Sequence, residues 1–186
     1  FAATEMTNCR FEANTAARGG AAYIQQTSSL TAVDCNFTEN MATEGAGLGG
    51  ALSTNGASTL QDCLFEGNIA HNGGAVFSST AGNSAGTIIS GAKTIFKCNV
   101  ASFRGGAVLH LREKLSITDA EIKANSAAAF GGGIALGVNS IASIDNCRLE
   151  QNVVGRESRP TGGGAIAFPG ILTSNSSLTV NNTVFQ

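Results

Sequence analysis

The stretch CLFEGNIAHNGGAV, Cys63 to Val76, decides the fold because the chain keeps restating it. CRFEANTAARGGAA begins at Cys9, and CNFTENMATEGAGLGGAL begins at Cys35. An aromatic residue followed by x-x-Asn recurs as Phe11/Asn14, Phe37/Asn40, Phe65/Asn68 and Phe96/Asn99. It continues with aliphatic substitutes as Ile122/Asn125 and Leu149/Asn152, and a further copy opens at Phe185. Two residues beyond each Asn stands a small apolar residue: Ala16, Ala42, Ala70, Ala101, Ala127 and Val154. Each copy then reaches a glycine pair, led by Gly19, Gly49, Gly73, Gly105, Gly131 and Gly163, and an Ala or Gly followed by an aliphatic residue.

Upstream of each Phe position the pattern alternates. The row two before it reads Cys9, Cys35, Cys63, Thr94, Ala120, Cys147, Thr183, and the row five before it reads Met6, Ala32, Leu60, Gly91, Ile117, Ile144, Val180. Period-2 runs such as KLSITDAEI and SLTVNNTVF are strand signals, and no sustained 3.6 period occurs. Copies are roughly 24 to 36 residues long, so each is expected to hold two or three short strands. A sandwich of hairpins would place turn pairs every 8–12 residues or so. One long recurrence per copy is instead the logic of a solenoid, in which equivalent residues of successive coils stack at about 4.8 Å. The expected fold is all-β: a right-handed parallel β-helix, pectin-lyase-like, of about six to seven coils and roughly 30 Å long, with residues 1–186 as one segment. Insertions fall at one corner: four residues between Asn40 and Gly49, and more in VVGRESRPTGG.

Composition agrees. The 186 residues carry a net charge of −2, only 13 % charged residues, 24 Gly, 2 Pro and no Trp. So small residues must build the core, and no basic stripe suggests nucleic acid. No apolar run approaches the ~20 residues of a membrane-spanning helix. The chain opens and stops inside its own pattern, so further repeats or other chains are expected at both open ends.

Phe-x-x-Asn paired with Gly-Gly-Ala-[Ile/Leu/Val] resembles the repeat of chlamydial polymorphic outer membrane proteins; related repeats occur in large extracellular proteins of algae and other protists. The resemblance spans nearly the whole chain, with Ile122 and Leu149 departing from the Phe. It implies a right-handed parallel β-helix at a cell surface or outside the cell, serving adhesion or acting as a stalk, with a host-surface protein, matrix protein or glycan as ligand.

The columns read as scaffold. Stacked Phe rings bury apolar area. An Asn column at a coil corner can bond the amides above and below, or local backbone, and Asn tolerates the left-handed conformation. Gly pairs permit backbone geometry or close approach that a Cβ blocks. The Cys residues leave two readings open: Cys9, Cys35 and Cys63 as stacked thiols, or one disulfide between neighbouring coils. Cys98 is off-register. Asp34, Asp62 and Asp119 precede the Cys column, with Asn8, Lys93 and Asn146 in other copies; Asp34 and Asp62 as neighbours suit at most a weak Ca²⁺. Catalysis needs unlike groups converging in one cleft, and His71 and His110 have no evident partners. No catalytic residue or cofactor is expected. A β-helix domain that binds or cleaves polysaccharide is the rival reading. Sequons at Asn36, Asn175 and Asn181 make N-glycosylation an expectation for a secreted chain.

Overall fold

The computed structural model describes residues 2–43, 45, 47–79, 86–155, 162–168 and 175–186. Among them every regular element is a β-strand, paired in parallel with its equivalents one coil away. Among the described residues no helix is long and apolar enough to cross a membrane. The chain is a parallel β-solenoid whose coils pass through four sheets.

The first sheet stacks Ala3–Thr7, Ser29–Val33, Ala57–Gln61, Thr87–Ser90, Glu113–Thr118, Ser140–Asp145 and Ser177–Asn181. The second carries the Phe row in Arg10–Glu12, Asn36–Thr38, Leu64–Glu66, Ile95–Lys97, Glu121–Lys123, Arg148–Glu150 and Val184–Phe185. The third follows the Asn row, from Thr15–Ala16 through Ile69–Asn72 and Val100–Arg104 to Val153–Val154. The fourth follows the glycine pairs, from Ala22–Ile24 through Val76–Ser79 and Val108–Leu111 to Ile166–Ala167. Each coil thus has four strands where the sequence suggests two or three. The extra strands are as short as two residues, Met41–Ala42 for instance, too short to show an alternation. Five coil-on-coil steps run through all four sheets, and the first two sheets add a sixth.

The core is one continuous column of small and aliphatic side chains around the Phe row, from Ile24 and Leu30 to Ile144 and Leu149. Alternation along the fourth sheet turns Phe77, Leu109 and Ala135 to its outer side, where they form a second buried cluster with Leu48 and Leu111.

Three corners of each coil hold a residue with positive φ. Between the first and second sheets stand Asn8, Asp34, Asp62, Asp119, Asn146 and Asn182, at 45–56°. Between the second and third stand Ala13, Glu39, Gly67, Cys98, Ala124 and Gln151, at 52–64°. Before the fourth stand the leading glycines of the pairs, at 55–68°. The residue before each ladder Asn, not the Asn, therefore takes the left-handed turn, although most side chains there pay roughly 1–2 kcal/mol for it.

The strand register corrects one column. The row facing Leu60 and Ile117 holds Ile89, not Gly91. Coil four has two more residues than its neighbours between this row and its Phe, because Gly91 (φ 98°) and the following turn replace the Asn/Asp corner. Lys93 is therefore no equivalent of Asp62; its backbone N–H donates to Asp62 Oδ1 at 3.3 Å.

The second glycine of a pair answers to space rather than to φ. A Cβ on Gly74 would stand 2.0 Å from the Gly106 carbonyl oxygen, and one on Gly50 would stand 2.1 Å from that of Gly74. Both obstacles are backbone and cannot swing aside. Gly74→Ala is expected to destabilise the fold by on the order of 3 kcal/mol. Gly162→Ala, where a Cβ meets nothing within 4 Å, should stay within about 0.5 kcal/mol, with both variants measured by urea titration.

Candidate functional site

The residues that recur most strictly form ladders. Phe11, Phe37, Phe65 and Phe96 stack with centroids 5.0, 4.8 and 4.5 Å apart and planes within 5°. Ile122 and Leu149 continue the row in register, and Phe185 follows. Asn14, Asn40, Asn68, Asn99, Asn125 and Asn152 form a second ladder. Asn99 shows the rule. Its Oδ1 accepts from the backbone N–H of Asn68 at 3.0 Å and from Asn68 Nδ2 at 2.9 Å. Its Nδ2 donates to Asn125 Oδ1 at 2.9 Å and to the Phe65 carbonyl at 3.0 Å. Every donor and acceptor of a fully buried amide is used, as burial demands.

All five cysteines are free thiols. Cys35, Cys63 and Cys147 are buried and point at carbonyls: Sγ of Cys63 donates to Gln61 at 3.2 Å and to Ala32 at 3.5 Å. Cys9 is half-buried, and Cys98 is exposed at the second corner. Desolvation pushes Cys63 up to about 11 and raises Cys35 and Cys147. Such thiols are poor nucleophiles and poor metal ligands at neutral pH.

The acid column lines an open groove between the first and second sheets. Asn8, Asp34, Asn36, Asp62, Leu64 and Lys93 border one depression of about 540 Å³. Asp119, Glu121, Asn146 and Arg148 border another in the same corner. Asp and Asn recur there because they accept positive φ most readily. Several of the side chains are engaged: Asp62 accepts from Gln61 Nε2 at 3.3 Å and from Lys93 N–H, and Asp119 accepts from Asn146 Nδ2 at 2.5 Å. Among the described residues no group of three His, Cys, Asp or Glu side chains could hold a metal ion.

One polar group was not legible. His110 is fully buried in the fourth sheet, in the row that holds Ser78 and Leu136 in adjacent coils. Its Nε2 meets the Glu113 carbonyl at 3.3 Å, which can only accept, so Nε2 carries the hydrogen. Nδ1 then accepts from Ser78 Oγ at 3.2 Å, and Ser78 accepts from Thr87 Oγ1 at 2.6 Å. The Ser–His pair has the look of a nucleophile and base, but no carboxylate among the described residues orients the ring, and both side chains are sealed from solvent. Burial pushes the imidazole down to about 4.

Outside, Asn36, Asn175 and Asn181 are all exposed, Asn36 on the second sheet and Asn181 at the end of the first. The third sheet turns Met41, Ile69, Val100 and Val153 to solvent. Residues 44 and 46 of the insertion after Asn40, and residues 156–161 of VVGRESRPTGG, lie outside the described residues.

A family model described as the Chlamydia polymorphic membrane protein repeat matches residues 62–79. That span is the third coil from its acid corner to the end of its fourth-sheet strand, and the coils on either side pair with it in register. No curated protein and no solved structure matches the chain.

Asn99→Ala strips four hydrogen bonds from buried partners and is expected to cost on the order of 4 kcal/mol in chemical denaturation. Asn14→Ala removes one side-chain bond at the exposed end of the ladder and should cost about 1 kcal/mol. His110 yields a pH dependence. Its folded value, about 4, lies below the ordinary 6.5, so the unfolded chain takes the proton first as pH falls. Stability is full above pH 6.5 and declines toward pH 4, by up to on the order of 3 kcal/mol. Melting temperatures across that window should show the decline, and His110→Leu, copying Leu136, should flatten it.

Proposed function

We propose that this repeat protein of the polymorphic membrane protein type is a structural and adhesive segment, a stiff rod displayed at a cell surface or outside the cell, with no catalysis of its own. The observation that carries the reading is the Asn ladder. The same side chain makes the same bonds in successive coils from Asn40 to Asn125. A reaction site requires unlike groups aimed at one point, whereas these columns repeat like groups along a line. The ladders confer stiffness, and the corners and outer faces are left to vary. The repeat family, from outer membrane proteins, supports surface display.

Both end coils pair on one side only within the described residues. Unpaired strand edges invite addition of more strands, and further coils or another chain fit there. Glycans on Asn36, Asn175 and Asn181 would decorate the outside without disturbing the core.

The second reading, a polysaccharide-cleaving domain, draws on Asp34, Asp62 and Lys93 sharing one groove, with a weak Ca²⁺ between the two acids. Assays of lyase and hydrolase turnover on uronic-acid polymers, with and without Ca²⁺, discriminate. No turnover in either condition is expected. Turnover by the wild type that disappears in Asp62→Asn would overturn the rod reading.

A further inference from the structure

The repeat symmetry breaks on the third corner, just before the glycine pairs. In coil three, Ala70 and Asn72 are two apart; their partners in coil four, Ala101 and Arg104, are three apart, and the register shifts between them. The extra residue is a bulge, a device that re-aims side chains. It sets Phe103 and Arg104 side by side on the outside of the solenoid. The Arg104 guanidinium carbon lies 4.4 Å from the Phe103 ring centre and 5.5 Å from that of Phe130 in coil five. His71 of coil three stacks on Phe103 at 5.4 Å and 14°, and its Nδ1 is 2.7 Å from Ser102 Oγ. Phe130 meets Phe103 edge-on at 6.4 Å.

Among the described residues the charge in this cluster is uncompensated. On the second sheet the cations hold glutamates: Arg10 with Glu12, Lys97 with Glu66, Lys123 with Glu121, Arg148 with Glu150. Arg104 has no carboxylate partner among the described residues, and its Nε–H is buried without an acceptor. Stacking uses the faces of a guanidinium and leaves its terminal Nη–H groups for a planar anion. The rings of His71, Phe103 and Phe130 also advance one coil at a time along the rod, a line of apolar surface that an extended polymer can follow.

We infer that this corner binds an acidic polysaccharide, with Arg104 receiving the carboxylate of a uronic-acid unit and the His71–Phe103–Phe130 line bearing the C–H surfaces of successive sugars. This rests on the reading of the chain as an adhesive rod and names a surface and a ligand class for it. A compact acidic protein would satisfy the cation but would not need rings aligned over three coils.

The test is calorimetry on the whole chain at low salt, with polygalacturonate oligomers, neutral cello-oligosaccharides and polyglutamate as probes. The polyuronate should bind, the neutral sugar should not, and polyglutamate should bind at least about tenfold more weakly. Arg104→Met should weaken polyuronate binding at least about tenfold, while Arg148→Met leaves it unchanged. Arg104→Lys keeps the charge without the fork and should fall between them, and it serves if the Met variant melts early. Polyuronate binding that is absent, that survives both Arg104 substitutions, or that polyglutamate equals would overturn the inference. None of these results bears on the rod, which fails only by turnover.

Discussion

Parallel coils lie one strand spacing apart, and this single distance governs everything else in the molecule. A group repeated once per coil falls within hydrogen-bond reach of its copy only if it offers a donor on one side and an acceptor on the other. The carboxamide of Asn does so, and it also has a hydrogen left over for the carbonyl of the Phe row one coil back. The ladder therefore satisfies a buried corner that would otherwise strand main-chain groups. It compensates for the left-handed residues just before it, where Ala13, Glu39, Cys98, Ala124 and Gln151 stand in place of glycine.

The same spacing explains the glycine pairs. The first member turns the chain at positive φ, and the second lies so close to the carbonyl of the next coil that no Cβ fits. Two different demands produce one dipeptide. Between the Asn and that dipeptide each coil buries only one small side chain, such as Ala42, Ala70, Ala101 or Ala127, before it turns the corner, which is why extra residues collect there and why they leave the stacked rows undisturbed.

Departures from symmetry are then the informative places. The His110–Ser78–Thr87 group introduces polarity into the core, but it closes on itself and on the Glu113 carbonyl. The bulge before Arg104 breaks the pattern outward instead and leaves a cation facing rings. Repetition accounts for the rod; what the rod can touch depends on where repetition stops.

Much of this was legible in the residues. The Phe, Asn and glycine columns could be aligned by eye because each must meet its own copy, and a side chain that stacks on itself has to recur. So the sequence alone determined the parallel solenoid, the ladder residues and the corner that takes insertions. It misplaced Gly91 for Ile89 because a two-residue change at a turn shifts a count that only hydrogen-bonded register can reset. It offered two readings of the cysteines and none of His110, since whether Ser78 or Glu113 lies beside that ring depends on how adjacent coils and a tight turn come together. Tertiary structure alone decided those contacts, and it alone brought His71, Phe103, Arg104 and Phe130 to one corner: they lie in three different coils, and unlike the ladder residues they form no recurring column that linear order could mark.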